Sequence, residues 1–349
     1  MTVTGVQRYA HEVLRRIGAY LDSELRVIVP PQLVLEGDDP EIANILTTGR
    51  WRGMDGHRWE QLVLPRLYRK AGAHALWSPC SWGPAAVRRH IPVVHDIAPL
   101  TWPEYFSPRY RMLARALTGP LVRRSALVVT PSMHVQGELL ERFSLDPDHV
   151  RVVPPGVGRP FDSVPLDDLD RRSGRYCLLV GAHALLKNAQ FLLELWPEVH
   201  ARTNLELHLT YRRGVKTRRV WVQALKGTHV PGVVLHADPT DDELARLYAD
   251  ALCLLWPSHY EGYGFPLLEA MAVGTPFLST DVGAAAELAV RAEEQILPLE
   301  PERWRARIEA WHSADLHELR EESARRARAM TWDASAEKTA AVLDRLAGS

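Results

Sequence analysis

The sequence predicts an α/β protein of two domains, each a parallel sheet covered by helices. Three observations lead there. Short apolar runs alternate along the chain with longer helical patterns, the signature of βαβ units. Several of the short runs are apolar at every position, as strands buried on both faces require. The 349 residues also exceed what one hydrophobic core ordinarily serves.

In the first half the expected strands are Leu25–Val29, Ala73–Trp77, Pro92–His95, Leu127–Thr130 and Arg151–Val153. In the second they are Tyr176–Val180, Leu205–Leu209, Val233–His236, Cys253–Trp256, Pro276–Leu278 and Gln295–Leu297. Helices are expected over Val6–Leu21, Tyr110–Arg124, Gln136–Phe143, Asn188–Ala201, Asp241–Ala249, Pro266–Val273, Glu302–Ala314 and Ala334–Leu346. Between the halves, the run from Val153 through Pro154, Pro155, Gly156 and Gly158 to Pro160 excludes regular structure, and the acidic stretch Asp162–Asp170 follows. The boundary falls there: an N-terminal domain of residues 1–156 and a C-terminal domain of residues 157–349, the last helix being free to return to the first domain.

Composition removes several function classes. The 42 basic and 43 acidic residues leave a formal net charge of −1, which argues against a general nucleic-acid binder. Cys80, Cys177 and Cys253 show no CxxC pair and no metal-ligand spacing, so no metal site is expected and the thiols read as free and buried in a reducing cytosol. The first twenty residues lack the apolar segment of a signal peptide. No run approaches the roughly 18 apolar residues of a membrane span, so a cytoplasmic location is expected. One stretch, Pro108–Leu117 continuing to Arg124, sets Arg111 and Arg115 on one helical face and Leu113, Ala116, Leu117 and Leu121 on another. That pattern is compatible with resting peripherally on anionic headgroups at the inner membrane face.

The segment that carries chemistry is Ser258–Pro276. It follows the strand Cys253–Trp256 and opens with Glu261-Gly262-Tyr263-Gly264-Phe265-Pro266. Glycines let the backbone approach a ligand closely. Pro266 suits a first helical turn, and Gly274 the position just past its end. A helix start beside a Gly-rich loop is a natural diphosphate site. Glu269, expected in the first turn, can accept paired hydrogen bonds from two ribose hydroxyls. Two carboxylates eight positions apart, bracketing this loop between strand and helix, form a specific constellation.

The constellation resembles the Glu-x7-Glu signature of glycosyltransferase family 4, retaining enzymes of the GT-B fold, in which two Rossmann-like domains face across a cleft. The resemblance implies ribose binding by Glu269 and donor-sugar contact by Glu261, Gly262, Tyr263, Gly264 and Phe265. Further segments are similar to the family. Val180–Asn188 resembles the strand–loop–helix whose lysine, here Lys187, binds the diphosphate, although Ala182 and Leu186 stand where many members carry arginine. Tyr211-Arg212-Arg213 is a candidate source of the missing cations. Val93–Phe106 resembles the His-Asp segment and implies that His95, expected at a strand end, orients the sugar. Thr4–Tyr9 resembles the first Gly loop, with Gly5 near the donor phosphates; the β-strand that normally precedes this loop has only three residues of sequence to occupy, so either the start is mis-assigned or the strand is lost.

What the resemblance implies is transfer of a hexose from a nucleoside diphosphate sugar, GDP-mannose first, to a glycan or polyprenol-linked acceptor, without cofactor or metal. His95, Glu261 and Lys187 would form the catalytic set, as in bacterial mannosyltransferases of surface-polysaccharide assembly. Two other readings share these residues: a GT-B-like sugar-nucleotide epimerase, and a non-catalytic nucleotide-sugar binder. A plain NAD enzyme is disfavoured because no Gly-x-Gly-x-x-Gly follows a first strand.

Overall fold

A computed structural model describes residues 4–29, 45–47, 54–80, 82–166, 174–213 and 230–348. The chain divides into two compact units, Met1–Gly156 with Thr331–Ser349, and Val157–Met330.

In the first unit the strands β1 (Val27–Val29) and β2 (Ile45–Thr47), β3 (Leu76–Ser78) and β4 (His90–Pro92), and β5 (Val128–Thr130) and β6 (Val150–Val152) form parallel pairs. A bridge from Val93 to Val129 links the last two pairs. Helix α1 (Gly5–Ile17) starts at Thr4, whose hydroxyl accepts from the Gln7 amide while the Gln7 side chain accepts from the Thr4 amide. Helix α2 (Leu64–Ala71) ends at Gly72 with φ of 61°. Helix α3 (Pro108–Arg124) begins two residues earlier than expected, because Pro108 is pre-set for a first turn and Ser107 caps Tyr110. Its buried residues are Ala114, Thr118, Gly119, Leu121 and Val122. Ala116, expected on the apolar face, is exposed beside Arg115 and Met112. Helix α4 (Met133–Phe143) follows.

The second unit is built on a five-stranded sheet with order β11-β10-β7-β8-β9. Its strands are β7 (Tyr176–Leu179), β8 (Glu206–Tyr211), β9 (Val233–Ala237), β10 (Cys253–Trp256) and β11 (Phe277–Ser279), and every pairing is parallel. All residues of β7, β10 and β11 are buried. Each fully buried leucine there contributes about 1.5–3 kcal/mol. Helices α5 (Ala189–Thr203), α6 (Asp241–Asp250), α7 (Phe265–Ala272), α8 (Pro301–Ser313) and α9 (His317–Arg328) pack around it. Gln295–Leu297, expected as a strand, is reduced to one bridge from Ile296 to Ser279, because Ala292–Gln295 closes a helical turn.

The last helix, α10 (Trp332–Ala347), belongs to the first unit, where it packs along α1. Gly156 has no room for a Cβ against the Thr331–Trp332 backbone, and Ser335 donates to the Pro154 carbonyl at 2.6 Å. Cys177 and Cys253 are free and buried with sulfurs 3.7 Å apart, whereas Cys80 is exposed, contrary to expectation. No helix among the described residues is long and apolar enough to cross a membrane.

Candidate functional site

Strand β10 is apolar throughout and ends at Trp256, so the chain leaves the sheet at a fixed height. The loop that follows is tied from several sides. Thr280 donates its hydroxyl to the Ser258 carbonyl at 2.6 Å, the Ala284 amide donates to the Tyr263 carbonyl at 3.0 Å, and the His259 amide donates to the Leu186 carbonyl at 2.8 Å. That last bond binds the loop after β10 to the loop after β7, which carries Lys187.

Lys187 and Glu261 meet there as an ion pair, with side chains 18% and 12% exposed. The Lys187 ammonium also lies 3.9 Å from the centre of the Trp256 ring, a cation–π contact. Ser258 donates its hydroxyl to the same Glu261 oxygen at 3.0 Å. Asn188, at φ of 50°, turns the chain from the short 3₁₀ turn Leu185–Lys187 into α5. A Cβ at Gly283 would lie 2.9 Å from the Glu261 Cβ and 3.0 Å from the Tyr263 carbonyl, and Gly283 itself has φ of 54°. Glycine there lets a second backbone lie flat against Glu261.

Of the two loop glycines, Gly264 is the one with left-handed backbone, at φ of 95°, and it caps α7. Pro266 stands in its first turn, as expected, but Phe265 opens the helix one residue earlier. Glu269 stands fifth in α7, not in its first turn, because Phe265 rather than a later residue is the first helical position. It is buried, and the Tyr248 hydroxyl of α6 donates to its Oε2 at 3.1 Å. Tyr248 is itself positioned by Thr275, which donates to its carbonyl at 2.6 Å. Glu269 is thus a supported carboxylate midway along α7 rather than a surface charge. Tyr263 and Gly264 are buried and Gly262 is half-buried.

Gly181, at φ of 74°, donates its amide to the Thr210 hydroxyl oxygen at 3.1 Å. His183 lies among the cations Arg212 and Lys187; burial and then these charges hold its imidazole below the ordinary histidine range. The Arg212 amide donates to His183 Nδ1 at 3.3 Å. Arg213 is committed to Asp238, its Nε lying 2.6 Å from Oδ2. In the basic run Arg212-Arg213, Arg212 lies near His183, while Arg213 is already matched by Asp238. Ser258, Tyr248, His183 and Gly283 were not singled out by the motif; only the buried partner contacts reveal them.

The other expected site residues lie in the first unit. Gly5 is the first residue of α1. His95 lies three residues past the end of β4, rather than at a strand end. The backbone there changes partner, Val93 donating to Ser78 and Val94 to Val129, and Asp96 then caps the Ala98 amide of a helical turn. The His95 ring is buried. Its Nε2 donates to the Pro79 carbonyl at 2.7 Å, and its edge meets Tyr9 of α1 at 5.0 Å and 83°. Burial pushes its pKa down to about 4, so near neutral pH the ring is uncharged and the Nε2 proton is fixed toward Pro79.

A family model described as Glycosyltransferase Family 4 matches residues 3–158, and one described as Glycosyl transferases group 1 matches residues 174–312. The chain is similar to the O-antigen chain mannosyltransferase B of Escherichia coli, 28% identical over 59% of this chain and 56% of that protein. It thus spans little more than half of that relative's length. It is also similar to the O-antigen chain mannosyltransferase RfbU of Salmonella typhimurium (strain LT2), 24% identical over 76% of this chain and 73% of the other. Among solved structures, WaaG, a glycosyltransferase involved in lipopolysaccharide biosynthesis, superposes with a TM-score of 0.69 at 17% identity, covering 98% of this chain and 97% of WaaG. Anabaena Alr3699/HepE in complex with UDP and glucose gives 0.66 at 15% identity, covering 98% and 96%. The chain thus carries a Glycosyltransferase Family 4 domain followed by a Glycosyl transferases group 1 domain, and it shares the fold of GT-B glycosyltransferases.

Proposed function

We propose that this chain transfers a hexose, mannose from GDP-mannose as the first candidate, from a nucleoside diphosphate sugar to a glycan or polyprenol-linked acceptor with retention of anomeric configuration. The observation that carries the reading is the convergence of Lys187 and Glu261 over Trp256, one loop away from the buried Glu269. Glu269 accepts from the ribose hydroxyls, and Lys187 meets the diphosphate. The amides of Gly262, Tyr263, Gly264 and Phe265 line the sugar and phosphates. This places fixed dipoles and one cation where the leaving group gains charge. The bond from the anomeric carbon to the phosphate oxygen breaks, a bond to the acceptor oxygen forms on the same face, and the acceptor proton passes to the departing phosphate. His95, neutral, is a hydrogen-bonding group for the sugar rather than an acid. The similarity to O-antigen mannosyltransferases supports mannose, and the similarity to a protein solved with UDP and glucose makes the uridine donor the comparison to run. The exposed Arg109, Met112 and Arg115 of α3 support peripheral contact with anionic lipid.

Incubation with GDP-mannose and UDP-glucose, each with a panel of mono- and disaccharide glycosides and a short polyprenyl phosphate sugar, tests this by mass spectrometry and anomeric NMR of the product. A new glycosidic bond of the donor's anomeric configuration is expected. Isomerised or hydrolysed donor without transfer would replace the reading with the epimerase, and nucleotide binding without turnover would replace it with the binding protein.

A further inference from the structure

The first unit carries a row of aromatic rings with carboxylates nearby. Trp82 and Tyr110 stack at 5.5 Å and 18°, and Phe106 stacks on Tyr110 at 5.7 Å and 29°. His57 closes the row at 5.0 Å from Trp82. Trp82 is the buried floor, while His57, Phe106 and Tyr110 are half-buried and keep ring surface open to solvent. Glu60 lies 3.3 Å from His57 Nδ1, with both side chains about a quarter exposed, at 24% and 29%. After burial, the nearby carboxylates of Asp96 and Glu60 raise the Tyr110 phenol. Asp96 is held by the Ala98 amide at 3.0 Å. The platform is fixed in place: Gln61 donates to the Gly83 carbonyl at 2.8 Å and accepts from the Ala85 amide at 3.1 Å, strapping the Trp82 loop to the helical run that carries His57 and Glu60.

Half of this row is ordinary core, since Trp82 and Tyr110 border the cluster around Val94, Ile97 and Leu121. Core packing does not account for carboxylates gathered around a half-open aromatic face. Stacked rings offer a flat, electron-rich surface for the C–H face of a pyranose, and carboxylates are strong acceptors for its hydroxyl donors. Two negative charges at the same place repel a phosphate or a carboxylate.

We propose that His57, Trp82, Tyr110 and Phe106, with Glu60 and Asp96 beside them, form a subsite for a neutral pyranose unit of the acceptor glycan. This rests on the glycosyl-transfer reading of the chain, but its residues are separate from those assigned to the donor.

Saturation-transfer NMR on the full chain, irradiating aromatic protons with methyl α-D-mannopyranoside and methyl α-D-glucopyranoside as probes, tests the subsite. Millimolar binding of at least one glycoside is expected, with Kd raised about tenfold in Tyr110→Ala and about threefold in Glu60→Gln. GDP and UDP affinity should be unchanged in both variants. Glu60→Gln keeps the inference testable should Tyr110→Ala fail to fold. Absence of saturation transfer to either glycoside, or equal Kd in wild type and Glu60→Gln, would overturn the subsite whatever the donor experiments give. Variant-sensitive glycoside binding in a chain that binds no nucleotide would keep the subsite and remove the donor reading.

Discussion

Glu261→Gln is the perturbation with the most distinctive expected outcome, because it should move nucleotide affinity and turnover in opposite directions. In the unliganded protein Lys187 is neutralised by Glu261. A diphosphate must compete with that carboxylate for the ammonium. Two unit charges about 4 Å apart interact by about 4 kcal/mol at an effective dielectric of about 20, and desolvation offsets much of this. Glutamine still accepts from Lys187 and from Ser258, so the shape of the contact survives. The net effect expected is a loss of about 1–2 kcal/mol of folding stability together with a gain of similar size in GDP or UDP binding, about five- to thirtyfold in Kd. Transfer should fall about tenfold to a hundredfold if Glu261 contacts the donor sugar as proposed. Calorimetry with GDP and UDP, urea titration, and initial rates with the best donor measure the three quantities. Weaker nucleotide binding in Glu261→Gln, of the size seen in Lys187→Met, would refute the competition between carboxylate and diphosphate.

Three further outcomes are expected. Burial pushes His95 down to about 4 and His90 down to about 3, so the fold keeps both neutral while unfolded imidazole protonates near about 6.5; stability is therefore lost as pH falls from about 6.5 toward about 4, by up to about 1.4 kcal/mol per unit for each histidine. His95→Gln should flatten that slope in urea midpoints, and parallel slopes would remove His95 from the acid response. Gly283→Ala adds a Cβ 2.9 Å from the Glu261 Cβ at a φ of 54°, so a cost of about 1–3 kcal/mol in stability and weaker donor binding are expected; a variant with wild-type melting and affinity would contradict the close approach. Changing Arg109 and Arg115 to Glu should abolish co-sedimentation with anionic liposomes, each arginine contributing about 1 kcal/mol, and equal recovery of wild type and variant would end the membrane-contact proposal.

The strands of the second unit were legible because burial on both faces leaves an unbroken apolar run, as in Cys253–Trp256, which the structure reproduces residue for residue. The start of α7 was legible within one residue for a different reason, a proline just after a glycine that needs positive φ. Other elements were hidden by their chemistry. Helix α9 was not expected because its buried face is built of Leu319, Ser323, Ala324, Ala327 and the buried Arg320, and so carries little apolar periodicity. Arg320 donates to the carbonyls of Gly274, Ala251 and Leu252, a role that a residue-type pattern cannot express. His95 was placed at a strand end because Ile91, Val93 and Val94 continue the apolar run, but the backbone changes hydrogen-bond partner there. At the site, the spacing of Glu261 and Glu269 was visible, whereas the Lys187 pairing, the Tyr248 support and the Gly283 contact join residues 74, 21 and 22 positions apart and had no sequence signal.

The central claim is that a nucleoside diphosphate binds through the buried carboxylate of Glu269, held by Tyr248. Calorimetric titration of GDP and UDP into wild type and Glu269→Ala tests it most directly. Saturable binding of one nucleotide by the wild type, weakened in the variant by about 1–3 kcal/mol with the fold retained, is the expected result. Equal affinity in the two proteins, or no binding of either nucleotide to the wild type, would contradict the account.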